Sequence, residues 1–169
     1  VESYRSSFFG KNNKSVTQVA SARAGNVIGG GDFAKNRLIP DAVNAFSKNF
    51  FLKIRNPHSI RPWQHVLEPL SGYILLAQKL YTKNSNFDQA WNFGPINQDI
   101  KTVNEVINKF AKKWGDNAKL KFIKNKSLHE AKLLSLDCSK ANLEMKWIPK
   151  WDLNTTIDKT VQWYKAFLN

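Results

Sequence analysis

Short apolar runs alternate with amphipathic helical stretches along the whole chain, and this alternation limits the fold more than any other feature of the sequence. Residues 16–24 mix β-branched and small side chains as a buried strand does, and residues 51–54, 90–93 and 120–123 read as three further strands. Between them, Val103, Val106, Ile107, Phe110, Ala111 and Trp114 recur on one helical face. Helices are also predicted from Pro40, over about 69–81, over 139–145 and over 153–168, and residues 1–9 read as the end of a helix. Strands alternating with helices give an α/β layered fold. The strands are too few for a complete doubly wound sheet.

Composition narrows the class. The chain has 169 residues, 42% hydrophobic and 23% charged, which suits one folded domain. No apolar run is long enough to cross a bilayer, and the sequence does not start with Met or show a signal-peptide pattern, so it is read as cut from something longer. Cys138 is the only cysteine, which fits a reducing, cytoplasmic setting. The net charge is +13, from 21 Lys and 5 Arg against 13 acids. The lysines fall mainly between apolar helix positions, as in Phe110-Ala111-Lys112-Lys113-Trp114, and describe solvated faces. A basic nucleic-acid-binding module is the alternative that this charge raises, and no nucleic-acid motif accompanies it.

The chemical motifs are few. Gly29-Gly30-Gly31 lacks the G-x-G-x-x-G spacing of a dinucleotide fingerprint, and no Gly-Lys-Ser/Thr follows, so it is read as a turn at a strand end. His58, His65 and His129 have no metal-ligand spacing, and no metal site is expected. In a chain that prefers Lys, the arginines at Arg23, Arg37 and Arg61 lie in or beside loop-like segments at strand ends. A guanidinium can hold two phosphate oxygens at once, so these positions point to an anionic ligand. The other reading is that they pair with Asp32, Asp41 or Glu68.

The stretches Arg23-Ala24-Gly25-Asn26-Val27-Ile28-Gly29, Arg37-Leu38-Ile39-Pro40 and Ile60-Arg61-Pro62-Trp63-Gln64-His65-Val66-Leu67-Glu68-Pro69 resemble the C-terminal half of extended short-chain dehydrogenase/reductases that act on nucleotide sugars. Within this NAD-dependent epimerase/dehydratase family, Asn56 to Val66, Trp91-Asn92-Phe93-Gly94-Pro95 and His129-Glu130-Ala131 to Leu136-Asp137-Cys138-Ser139-Lys140-Ala141 are worded like the CDP-glucose 4,6-dehydratases. The resemblance implies the last strands of a Rossmann-type sheet, from residues 1–31 and about 64–95, and a small substrate-binding domain from 32–63 and 96–169. It implies NAD as cofactor, a nucleotide sugar such as CDP-glucose as substrate, a hydro-lyase reaction and a homodimer. A sugar-nucleotide epimerase or decarboxylase of the same superfamily is a further alternative.

Residue by residue, the resemblance places Ala24 and Gly25 against the nicotinamide. It places Asn26, Arg37, Leu38 (through its amide), Arg61, His65, Glu68 and Glu130 around the nucleotide sugar. Arg61 would clamp the diphosphate, with His65 and Glu68 as positioning residues near it. The family's Tyr-x-x-x-Lys motif does not occur in the chain. No catalytic residue is assigned here, those groups are expected upstream of Val1, and the isolated chain is expected to be inactive.

Overall fold

The computed structural model describes the backbone of residues 1–9, 17–82, 86–115, 117–123 and 133–169. Among them are seven strands and six helices arranged around three small ladders. Helix α1 (Glu2–Phe8) precedes β1 (Ser21–Ala24), β2 (Asn26–Ile28), α2 (Leu38–Ser47), β3 (Phe51–Ile54), β4 (Ile60–His65) and α3 (Leu67–Tyr81). There follow β5 (Ala90–Phe93), a 3-10 turn (Asn97–Asp99), β6 (Ile100–Thr102), α4 (Val103–Trp114), β7 (Lys119–Phe122), α5 (Ser139–Met145) and α6 (Leu153–Leu168).

In the first ladder β1 lies parallel to β5, Ser21 opposite Ala90 and Ala24 opposite Phe93. In the second, β4 is central, parallel to β2 and antiparallel to β6. The third pairs β3 with β7 in parallel. One residue, Gly25, carries the chain from the first ladder into the second. A Cβ built there would lie 2.7 Å from Pro62 Cγ and 2.9 Å from its carbonyl oxygen, so only glycine allows this approach of the two strands. Gln64 ties the same ladders from the other side, its Nε2 donating to Phe93 O at 2.8 Å.

Two apolar clusters result. The larger gathers α2, α4 and α6 around Phe46, Phe110, Ile157 and Tyr164. The smaller packs α3, β5 and α5 around Trp91, Phe93, Met145 and Trp147. Helix α4 keeps the face read from its sequence, with Val106, Ile107, Phe110 and Trp114 buried. Its start is fixed by a capping box: Thr102 Oγ1 accepts the Glu105 amide at 3.1 Å, while Glu105 Oε2 accepts the Thr102 amide at 2.9 Å.

Several sequence expectations shift. Helix α2 starts at Leu38 rather than Pro40, which puts Pro40 in the first turn, where its missing N–H costs nothing. Helix α3 starts at Leu67, not 69, and β1 starts at Ser21 rather than 16. Arg23 and Arg61 stand inside strands, not in loops, because each backbone is paired: Arg23 opposite Asn92, Arg61 opposite Lys101. No helix among the described residues is long and apolar enough to cross a membrane.

Candidate functional site

A cavity of about 720 Å³ opens where β2, the start of α2, the end of β3 and β4 converge. Pairing of Asn26 with Trp63 brings Asn26 and Arg61 onto one face of the parallel β2–β4 pair, since residues two apart on a strand share a face. Both side chains line the cavity. Arg61 is buried, 8% exposed, and its Nη1 donates to Ile60 O at 2.8 Å. That bond holds the guanidinium close to its own strand.

The opposite wall is the N-terminus of α2. Its N-cap residue, Arg37, makes no side-chain cap. The Arg37 side chain leaves the first amides of the helix, including that of Leu38, uncapped, and they sit where the helix dipole is positive. Arg37, Leu38 and Pro40 all line the cavity. Arg37 Nη1 meets Asp32 Oδ2 at 3.2 Å, as the pairing alternative expected, but the side chains are 64% and 34% exposed, so solvent screens this bridge. Asp41 turns back to accept the Asn36 amide at 3.2 Å.

His65 and Glu68 do not belong to this cavity. His65 Nδ1 accepts the Leu67 amide at 3.2 Å, and its ring meets Trp151 edge-on at 4.8 Å between centroids. An accepting Nδ1 places the ring proton on Nε2. Burial pulls the imidazole pKa below its ordinary value, with the Glu68 carboxylate acting weakly the other way. Glu68 accepts the backbone amides of Lys150 and Trp151 at 2.9 and 3.0 Å. Both residues fasten β4 and α3 to the segment leading into α6. Glu130 and His129 lie outside the described residues.

Ala24 ends β1 beside Phe93, at the carboxyl end of a parallel pair, where ligands of α/β sheets bind. Gly25 follows and lines the cavity. The Gly29-Gly30-Gly31 turn has a packing role instead. A Cβ on Gly30 would lie 2.1 Å from the Trp163 ring of α6, and Gly31 has φ +81°. A second cleft of about 780 Å³ runs between Gly94, the Asp137–Cys138 corner and Trp147. Burial raises the Cys138 thiol pKa there, so it stays protonated. Among the described residues no group of His, Cys, Asp and Glu could hold a metal ion.

Four polar cavity residues were not among the sequence-based site candidates: Asn36, Lys53, Arg55 and Asn56. Arg55 had the same signal as the others, a scarce arginine immediately after a strand.

No protein-family model matches the chain. The chain is 52% identical over 167 residues to CDP-glucose 4,6-dehydratase of Salmonella typhimurium, covering 98% of this chain and 46% of that relative. Among solved structures, dTDP-glucose 4,6-dehydratase of Bacillus anthracis in complex with NAD aligns at TM-score 0.73 and 21% identity, over 88% of this chain and 45% of the other. Its fold is that of the C-terminal part of the extended short-chain dehydrogenase/reductases. A UDP-glucose 4-epimerase of Stenotrophomonas maltophila aligns at TM-score 0.75 and 18% identity, over 90% of this chain and 49% of the other. In this extended short-chain dehydrogenase/reductase fold, β1 and β5 form a parallel pair and the β2–β4–β6 ladder continues from it. The chain spans less than half the length of its curated relative.

Proposed function

We propose that this chain forms the nucleotide-sugar-binding wall of a CDP-glucose 4,6-dehydratase-type hydro-lyase. The observation that carries the reading is the convergence of Asn26, Arg61 and the start of α2, which has no side-chain cap, on one cavity. A linked pair of phosphates needs this donor set: a planar guanidinium, a side-chain amide and helix-terminal N–H groups. The 52% identity to a CDP-glucose 4,6-dehydratase supports the same substrate class. The lysines suit a nucleic-acid role less well, as solvated helix faces do; Lys113, for example, pairs with Asp158 at 2.9 Å.

In such a lyase NAD would supply the redox chemistry, as an internal hydride acceptor and donor, and the backbone at Ala24 and Gly25 would hold its nicotinamide end. The residues of this chain fit one end of that cofactor. The backbone at Ala24 and Gly25, ending β1, can meet an amide such as that of nicotinamide, whereas Gly30 and Gly31 pack against Trp163 and Gly29 lines the substrate cavity. On this reading residues 1–31 and about 64–95 complete a cofactor-binding sheet, and 32–63 and 96–169 hold the substrate. His65 and Glu68 act on the site by holding β4 and α3 in place. Glu130 is assigned to the same substrate. A cytoplasmic homodimer is part of the proposal, supported by the exposed apolar side chains of Tyr4 and Phe8 on α1.

The test is equilibrium binding of CDP-glucose and of NAD to protein carrying Arg61→Ala or Arg61→Lys. A charge-assisted hydrogen bond contributes about 1.5–3 kcal/mol, so CDP-glucose affinity falls roughly 10- to 150-fold. The lysine variant recovers little of it, and NAD affinity holds. Unchanged CDP-glucose affinity in both variants rejects the proposal.

A further inference from the structure

We infer that Arg55 selects the base of the bound nucleotide, favouring cytosine over uracil and thymine by donating two parallel hydrogen bonds to its O2 and N3. The inference rests on the nucleotide-sugar reading above and adds what that reading leaves open, the choice of base.

Three arginines line the cavity, and their surroundings differ. Arg61 is buried beside Asn26 and bonded to Ile60 O. Arg37 is engaged with Asp32. Arg55 is exposed and makes no ion pair among the described residues. It follows the last residue of β3, and the turn closed by the Ser59 amide on Asn56 O at 3.3 Å returns the chain to β4. Six positions separate Arg55 from Arg61, so this turn puts both on one cavity wall. In the inferred pose, phosphates held between Arg61 and the start of α2 leave the exposed Arg55 end of the same cavity for the nucleoside.

The discrimination follows from donor and acceptor chemistry. Cytosine presents two adjacent acceptors, O2 and N3, whereas uracil and thymine carry a hydrogen on N3. A guanidinium only donates, so on uracil or thymine one of its N–H groups would face another N–H. A side-chain amide, such as that of the neighbouring cavity residue Asn36, carries both a donor and an acceptor, and so reads neither base against the other. Lys53, also on the wall, is a point charge that cannot form the parallel pair.

The experiment measures the affinities of CDP, UDP and dTDP for the chain, unaltered and with Arg55→Ala or Arg55→Lys. Far-ultraviolet circular dichroism checks the fold, which an exposed position leaves intact. The unaltered chain prefers CDP by roughly 5- to 150-fold, the discrimination of one bidentate base contact. Both variants lose that preference through weaker CDP binding, with UDP binding nearly unchanged. Equal binding of all three by the unaltered chain, a uniform loss in the variants, or a preference retained by the lysine variant overturns the inference while leaving the nucleotide-sugar reading in place. Absence of binding by any of the three overturns that reading and the inference together.

Discussion

The carboxylate of Glu68 takes the backbone amide of Trp151 at 3.0 Å across 83 residues of chain, and the Lys150 amide at 2.9 Å on its other oxygen. An acid in the first turn of α3 thereby anchors the segment that delivers α6. Glu68 is 6% exposed, so nothing replaces it when it is removed. Glu68→Ala leaves both amides without their acceptor and costs about 3 kcal/mol of stability. Glu68→Gln keeps one acceptor oxygen and costs less. Denaturant unfolding of the two variants checks the order.

Gly72 separates two opposing effects. It sits inside α3, where alanine would add about 1 kcal/mol of helix propensity. A Cβ there, however, would lie 2.2 Å from Phe93 Cδ1, and Phe93 is fully buried with Trp147 and Tyr73 against it. Overpacking costs about 1–3 kcal/mol or more, so Gly72→Ala lowers the melting temperature. Gly30→Ala meets the Trp163 ring at 2.1 Å, but that residue is 41% exposed and its ring can swing outward. The Gly30 variant therefore loses less stability than the Gly72 variant when melting temperatures are compared.

Two buried groups give opposite pH responses. Burial lowers the His65 pKa below 6.5, so the unfolded chain takes up a proton first as pH falls. Stability from His65 is present above that value and is lost on acidification through the folded pKa. His65→Asn, which keeps an acceptor for the Leu67 amide, flattens a series of melting curves taken at falling pH below the ordinary histidine pKa.

Asp99 behaves the other way. Burial raises its pKa above 3.8, outweighing the Leu153 amide that it accepts, and its Oδ2 has no hydrogen-bond partner. A raised carboxyl pKa gives stability that is complete below the ordinary value and is lost as pH rises. Asp99→Asn therefore melts higher than the unaltered chain at neutral pH, and the difference vanishes near pH 4. A variant that melts lower at neutral pH would reject this account.

Legibility from sequence depended on element length and on whether a partner was local. Helices α4, α5 and α6 and strands β3 and β5 fall where the residue pattern put them, because each spans enough positions for a period to show. Strands β2 and β6 have three residues each and were not foreseen. Three positions carry no period, and β2 follows directly on Gly25. Of the site, Asn26, Arg37, Leu38 and Arg61 were named from the sequence and do meet in one cavity. Arg55 carries the same local signal as those arginines, a scarce guanidinium directly after β3, and only the cavity shows that it shares their site; the amides that Glu68 accepts are more than eighty residues away and leave no local trace.

The sequence by itself determined where the longer helices and strands β3 and β5 lie, and that arginine is scarce among many lysines. These are short-range properties, set by side-chain shape and by the spacing of apolar residues. Tertiary structure alone decided which of those residues share a cavity and which serve only as fasteners. A β2–β4 pairing brings Asn26 to Arg61, and a carboxylate finds amides far along the chain, through contacts that exist only once the ladders have closed.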